Sequence, residues 1–233
     1  LLGQVTLGAI IACALYFMPN NSAITTISLP FIKNAFIHLS WFFIPFVIFM
    51  IVGTSNAVNL TDGLDGLAAG TISIATFGLG VMAYLKGHFI IAKYLNIEFI
   101  AESGEITIFT ASMVGTTLGF LWFNAKPAQI FMGDTGSLTL GGLLALIAVI
   151  LREEIFFAII GAIFISEALS SMIQRYYFKY TRLKTGTGVR FFKKAPLHHH
   201  FEMSGVSEEK IVVRFWIIAI LLVAIGLGTL KIR

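Results

Sequence analysis

Charge is scarce in this chain. Only 12% of its 233 residues are Asp, Glu, Lys or Arg, against about 25% in a soluble globular domain, whereas 57% are hydrophobic and the mean hydropathy is +0.89. That balance excludes a water-soluble fold and implies a membrane protein. Cysteine is nearly missing too: the single Cys13 lies inside an apolar run and rules out an intramolecular disulfide framework. No cleavable signal pattern, repeat or low-complexity segment stands out, and no connector is large enough for a separate soluble domain. The chain opens Leu-Leu-Gly rather than with methionine and reads as the later part of a longer protein.

What is present is apolar sequence in long runs, at approximately 1–18, 40–55, 66–86, 106–123, 137–151, 155–175 and 211–230. Crossing a bilayer of about 30 Å takes roughly 20 helical residues. The second, fourth and fifth runs are short and must borrow from their flanks. None alternates as a strand would, so the expected fold is all-α and polytopic, with about seven transmembrane helices. Runs three and four separate the connector at 53–65 from that at 124–136, and runs five and six separate the latter from 176–210. Even numbers of crossings put all three connectors on one face. Nine of the sixteen Lys and Arg fall between Arg175 and Arg214, which makes that face cytoplasmic. The connectors at 19–39 and 87–105 belong to the other face, where His38 and His88 read as interfacial residues.

The first connector carries Asn56-Ala-Val-Asn-Leu-Thr-Asp-Gly-Leu-Asp-Gly66 between two apolar runs. Burying so many polar groups costs several kcal/mol unless each finds a partner, so water, a ligand or a metal is expected there. Asp62 and Asp65 would project from one side of a helix beginning at this turn. Gly63 and Gly66 would let a ligand approach the backbone, and a helix start would favour phosphate. In the second connector Asp134 lies between Gly133 and Gly136. It reads either as a helix cap, with Thr135 and Ser137 also able to cap, or as a ligand for Mg²⁺, which takes one or two carboxylates plus substrate phosphates. Phe131 nearby is an interfacial anchor on the simplest reading. The third connector carries Pro196-Leu-His-His-His-Phe-Glu202. Consecutive side chains diverge, so one metal is a poor fit for all three histidines; phosphate contact or proton transfer suits one or two of them better. Glu167, inside the sixth run, is an intramembrane charge flagged for function without a role.

The motifs at 56–67, 131–137 and 196–202 resemble those of the phospho-N-acetylmuramoyl-pentapeptide transferases, a branch of the polyprenyl-phosphate N-acetylhexosamine-1-phosphate transferase superfamily. The first two fit the superfamily broadly, and the triple histidine fits this branch. The resemblance implies Mg²⁺-dependent transfer of phospho-MurNAc-pentapeptide from UDP-MurNAc-pentapeptide to undecaprenyl phosphate, giving lipid I and UMP for peptidoglycan synthesis. It also implies a multi-pass bacterial inner-membrane enzyme serving cell wall biogenesis, cell shape and cell division. Carried over by motif, Asp134 looks like the metal ligand and Asn59 a second. Asp65, Asn124 and Phe131 look like a uridine pocket, Phe131 stacking on the uracil. Asp62 and Asp134 look like catalytic-site carboxylates, His198 like a third catalytic residue, and His198 and His199 like diphosphate or sugar contacts. Asn56, Gly63 and Leu64 come with the first motif as substrate-binding residues. The partners implied are the two substrates and the bilayer, with no nucleic acid; a homodimer stays open.

One departure stands out. The family carries an adjacent aspartate pair, with a lysine shortly after, ahead of the first run found here, and these 233 residues contain no such pair. The family has ten spans, so residues 1–233 read as one transferase domain whose first three spans would precede Leu1. A GlcNAc-1-phosphate transferase would share the first two motifs. A secondary transporter would want acids near the midplane and an internal repeat, whereas here the acids cluster at one face. The topology is testable with single cysteines in a Cys13→Ala background. Lys184→Cys should resist a membrane-impermeant thiol reagent in intact cells, and ready labelling there would reverse the assignment of faces.

Overall fold

The computed structural model describes residues 1–18, 25–28 and 36–232. Helix dominates because lipid offers nothing to a bare backbone N–H or C=O, and a helix satisfies both within its own segment. The elements in order are α1 (Leu2–Tyr16), β1 (Thr26–Ser28), β2 (Phe36–His38), α2 (Phe43–Thr61), α3 (Leu67–Gly87), α4 (Phe89–Leu95), α5 (Ser103–Asn124), α6 (Gly133–Ile150), α7 (Glu154–Ile160), α8 (Ala162–Thr185), α9 (Leu197–Glu202) and α10 (Glu208–Gly228). Strands β1 and β2 pair antiparallel with Thr26 opposite His38. This small hairpin is an addition to the expected all-α fold. The rest of the connector at 19–39 lies largely outside the described residues.

Five helical segments are long and apolar enough to cross a membrane: Ser40–Thr61, Leu67–Gly87, Ser103–Asn124, Gly133–Ile150 and Glu208–Gly228. The run expected as one span at 155–175 is broken instead: α7 and α8 meet at 75° and make a sixth span only if taken together. Helix α1 has 15 residues, about 22 Å of rise, short of the roughly 30 Å hydrocarbon core. Seven expected spans thus become five or six beside one short apolar helix.

The first connector is also shorter than its composition suggests. Helix α2 continues through Asn56 and Asn59 to Thr61, leaving only 62–66 to turn the chain. The polar residues do not end the helix because neighbouring helices offer partners. Asn56 Nδ2 donates to Gln4 Oε1 on α1 at 3.2 Å and to the Val52 carbonyl at 2.8 Å. Asn59 Nδ2 donates to Asp134 Oδ1 and Ser137 Oγ on α6 at 2.9 and 3.0 Å.

Helix α3 is the buried centre, with Leu67, Ile72, Leu79 and Met82 all at 0% exposure. Its small residues admit close neighbours, the usual means of helix association where lipid removes the hydrophobic drive. Ser73 Oγ donates to Thr117 Oγ1 of α5 at 2.7 Å, and the Trp216 indole of α10 fills the space where a side chain on Gly70 would stand. Helices α2 and α6 close up at Gly141, where a Cβ would fall 2.8 Å from Ser55 Cα and 2.9 Å from the Thr54 carbonyl oxygen. Ser55 Oγ donates to the Leu138 carbonyl at 2.7 Å and accepts from Gln4 Nε2 at 3.0 Å, tying α1, α2 and α6 together.

Gly141→Ala is therefore expected to destabilise by about 1–3 kcal/mol, which lowers the melting temperature in detergent by several degrees. Gly142→Ala is the control, since its methyl would meet only Ile51 Cγ2, at 3.9 Å. It should melt at or above the parent temperature, because alanine favours helix over glycine. Equal shifts in both variants would mean that α2 and α6 are not in tight contact.

Candidate active site

The three polar connectors meet at one end of the bundle. Gly66 takes the left-handed conformation, φ +77°, which glycine adopts without steric cost. This turn presents its N–H to Asn124 Oδ1 at 3.1 Å, while Asn124 Nδ2 donates to the Ile130 carbonyl at 2.8 Å. One buried amide thus stitches the first connector to the second. Asp65 Oδ2 accepts from the Ala128 N–H at 3.1 Å, and Trp216 Nε1 donates to the Gly66 carbonyl at 3.3 Å. The third connector joins through Gly63, where an added Cβ would overlap the His198 ring at Nε2. Leu64 packs with the apolar cluster of Leu67, Ile211 and Phe215 and anchors the turn. Beside it a half-open cleft lies between Asp65, Lys126 and the start of α10, with Trp216 at its wall. Lys126 pairs there with Glu208 and Glu209 at 2.7 and 3.2 Å.

Asp62 follows the last residue of α2, and Asp134 occupies the first turn of α6. Burial pushes the Asp62 carboxyl above the usual range, and the charge of Asp134 adds to the push, while the Gly133 N–H opposes it. The two carboxylates are therefore near enough for their charges to repel. The expected alignment of Asp62 with Asp65 on one side of a helix does not occur. Both lie in the non-helical turn 62–66, and Asp65 turns away towards Ala128. The capping expected of Asp134, Thr135 or Ser137 is not made either. Met132 occupies the cap position without a side-chain bond, and Ser137 Oγ donates back to the Gly133 carbonyl at 2.9 Å. Asp134 instead places its negative charge in the positive first turn of α6, a favourable position for an anion.

The histidines of α9 go three ways. His198 is buried at 1% exposure, its Nδ1 3.0 Å from Glu167 Oε2. His199 Nδ1 lies 2.7 Å from Glu202 Oε2 and helps hold that carboxyl below its usual range. His200 Nδ1 accepts from the Lys193 N–H at 3.2 Å. Among the described residues, no group of three His, Cys, Asp or Glu gathers as a metal cluster. Phe131 is 77% exposed, its ring face free. Asn56 lies about one and a half helical turns before the end of α2 and is bonded to α1, away from this meeting point.

Two contributors escaped the sequence reading. Gln174 Oε1 accepts from the Phe191 and Phe192 N–H groups at 3.1 and 2.8 Å, pinning the basic loop to α8. Trp216 covers Gly66 and Gly70. Neither lies in a motif, and only their tertiary contacts reveal them.

The sequence model for glycosyl transferase family 4 matches residues 1–152. Over its whole length the chain is 50% identical to the phospho-N-acetylmuramoyl-pentapeptide-transferases of Pelodictyon phaeoclathratiforme and Chloroherpeton thalassium, and it spans 64% of each. It is likewise 50% identical to that of Thermodesulfovibrio yellowstonii, of which it spans 63%. The histidine-bearing connector lies beyond the family match but within these aligned lengths.

The raised carboxyl of Asp62 gives a stability test. A raised value in the fold means that the protonated form stabilises it, a contribution present at low pH and lost as pH rises through the raised value. At neutral pH without divalent cations, Asp62→Asn should therefore melt no lower than the parent in detergent. Any advantage should shrink on mild acidification, and added Mg²⁺ should raise the parent more than the variant. A variant that melts lower at neutral pH would show the charged form to be favourably held.

Proposed function

We propose, for a chain that belongs to glycosyl transferase family 4, that its native polypeptide transfers phospho-MurNAc-pentapeptide from UDP-MurNAc-pentapeptide to undecaprenyl phosphate. The products are lipid I and UMP, in the first membrane step of peptidoglycan synthesis. The observation that carries this reading is the mutually repelling Asp62–Asp134 pair, set where three polar connectors meet at the end of an apolar bundle. The relatives named for this reaction lend it their 50% identity. The concentration of Lys and Arg between Arg175 and Arg214 supports a plasma-membrane protein with these connectors in the cytoplasm.

The donor set fits Mg²⁺. Two carboxylates with Asn59 beside them, open to solvent at Asp134, suit an ion that takes few protein oxygens and shares its remaining positions with phosphate and water. When bound, the ion supplies charge neutralisation at the diphosphate. The chain's own groups do the rest. Asn59 fixes Asp134 and is itself held by Ser137, and the Gly133 N–H fixes Asp62. Phe131 offers a bare ring to stack on uracil. Asp65 and Asn124 shape the floor of that pocket through the 124–130 loop; Asn124 has both amide ends engaged, so it acts through the loop rather than on the base. His199, part-exposed beside His198, is placed for a sugar-side or phosphate contact. The lipid phosphate oxygen then attacks the sugar-linked phosphorus in line, and the P–O bond to UMP breaks.

Asp134→Asn preserves size and removes charge, so the fold should survive. Losing about 4 kcal/mol of transition-state stabilisation would slow turnover roughly a thousandfold. The measurement is UMP release from UDP-MurNAc-pentapeptide with undecaprenyl phosphate, in detergent, across a Mg²⁺ titration of the native polypeptide. A variant that turns over within a fewfold of the parent at the same Mg²⁺ midpoint would remove Asp134 from the metal site. Preference for UDP-GlcNAc as donor would move the chain to the sister reaction.

A further inference from the structure

Glu167 is a carboxylate at 0% exposure in the apolar first half of α8. Burying such a charge is costly unless it is paired or hydrogen-bonded, and its partners belong to one residue. Oε1 accepts from the His198 backbone N–H at 3.2 Å, and Oε2 lies 3.0 Å from His198 Nδ1. The N–H belongs to the first turn of α9, where helices leave donors without an internal acceptor. A carboxylate only accepts, so the ring proton sits on Nδ1, and Nε2 is the ring nitrogen left for another partner. Nε2 is buried and has no hydrogen-bond partner among the described residues. It lies against Gly63 so closely that any side chain there would overlap it. Gly63 directly follows Asp62, one of the two mutually repelling carboxylates.

An orphaned buried nitrogen destabilises the fold unless a ligand supplies the missing bond. Here a two-point clamp holds that nitrogen at the turn where the reacting phosphates would arrive. We propose that Glu167 is a positioning residue: by gripping the His198 N–H and Nδ1 together, it fixes the ring tautomer and aims Nε2 at the Asp62–Gly63 turn for contact with substrate. This rests on the function proposed above. The physical logic is that of a metal-bound or catalytic histidine held by a carboxylate behind it, where the second group sets ring orientation without touching the substrate.

Glu167→Gln separates this role from simple helix capping. Its amide oxygen still accepts from the His198 N–H, but its NH₂ group faces Nδ1 and favours the other tautomer. The first readout needs no turnover: ¹⁵N–¹H correlation spectra of the histidine-labelled native polypeptide. The parent's His198 signal, assigned by its loss in His198→Asn and so told apart from His199, whose Nδ1 also meets a carboxylate, should carry its proton on Nδ1, and Glu167→Gln should move that proton to Nε2. In the UMP-release assay the variant should lose about 10- to 100-fold in kcat, with KM for the donor and melting temperature near the parent values. Glu167→Asp should recover part of the loss. Gly63→Ala, which displaces the ring from the other side, should give a similar loss that does not add to that of Glu167→Gln. Parent-like kcat in Glu167→Gln, or a melting temperature that falls in step with activity, would overturn the proposal. If the parent itself releases no UMP, the proposed reaction fails, and the spectra alone then judge the clamp: an unchanged tautomer overturns it.

Discussion

Helices α2 and α6 can present Asn59 and Asp134 to one another because nothing stands between their backbones at Gly141. A glycine on one side and Ser55 on the other bring the helices within van der Waals reach, and the Ser55 hydroxyl closes the gap by bonding across to Leu138. Asn59 lies one turn further along α2 and Ser137 one turn back along α6, so their hydrogen bond follows from that contact. The site is thus an extension of helix packing. In a bilayer, where apolar surface gives little preference for one helix over another, close backbone approach decides which helices stay together. The same contact that holds the bundle therefore sets the spacing of the chemistry.

That spacing brings two negative groups together at the expense of the fold. Asp62 is pushed towards its protonated form by burial and by Asp134, an arrangement stability alone would not select. Several buried polar groups do find partners: Ser73 with Thr117, Lys86 with Glu153, Asn124 with Gly66 and Ile130. Among the described residues, the buried atoms without a partner are Nε2 of His198 at the junction of the three connectors and, elsewhere, Thr76 Oγ1, Thr107 Oγ1, Arg152 Nε and Glu154 Oε2. At the junction the open Nε2 is the one that adjoins the Asp62–Gly63 turn, where a ligand could complete it.

Much of this was legible from residue order. Glycines flanking Asp134 and the even number of crossings between connectors pointed to one shared face, and α3 and α5 do return the chain to it. What was hidden depended on partners distant in sequence. Asn56 and Asn59 look like turn residues, yet Gln4 and Asp134 let the helix run past them. The 155–175 run stays apolar through its first eleven residues, so nothing in its composition announced a 75° bend at Gly161. The divergence of Asp62 from Asp65 follows from a left-handed Gly66 and an acceptor role towards Ala128. Glu167 was visible as an anomaly, but its meaning required His198, 31 residues later, to fold back on it.

The indole of Trp216 reaches back across 150 residues to the carbonyl of Gly66. Protein synthesis is vectorial, at about 5–20 residues per second, so roughly 8–30 s separate the appearance of these two partners on the ribosome. During that interval the turn bearing Asp62 and Asp65 is already made, while the helix that shores up its outer flank has yet to be inserted. A nascent chain stalled before α10 would hold most of its apolar bundle in the membrane with the reactive turn unsupported. The insertion of α10 thus sets when the turn gains its outer support, which makes the assembly of this junction a late event in the synthesis of the chain.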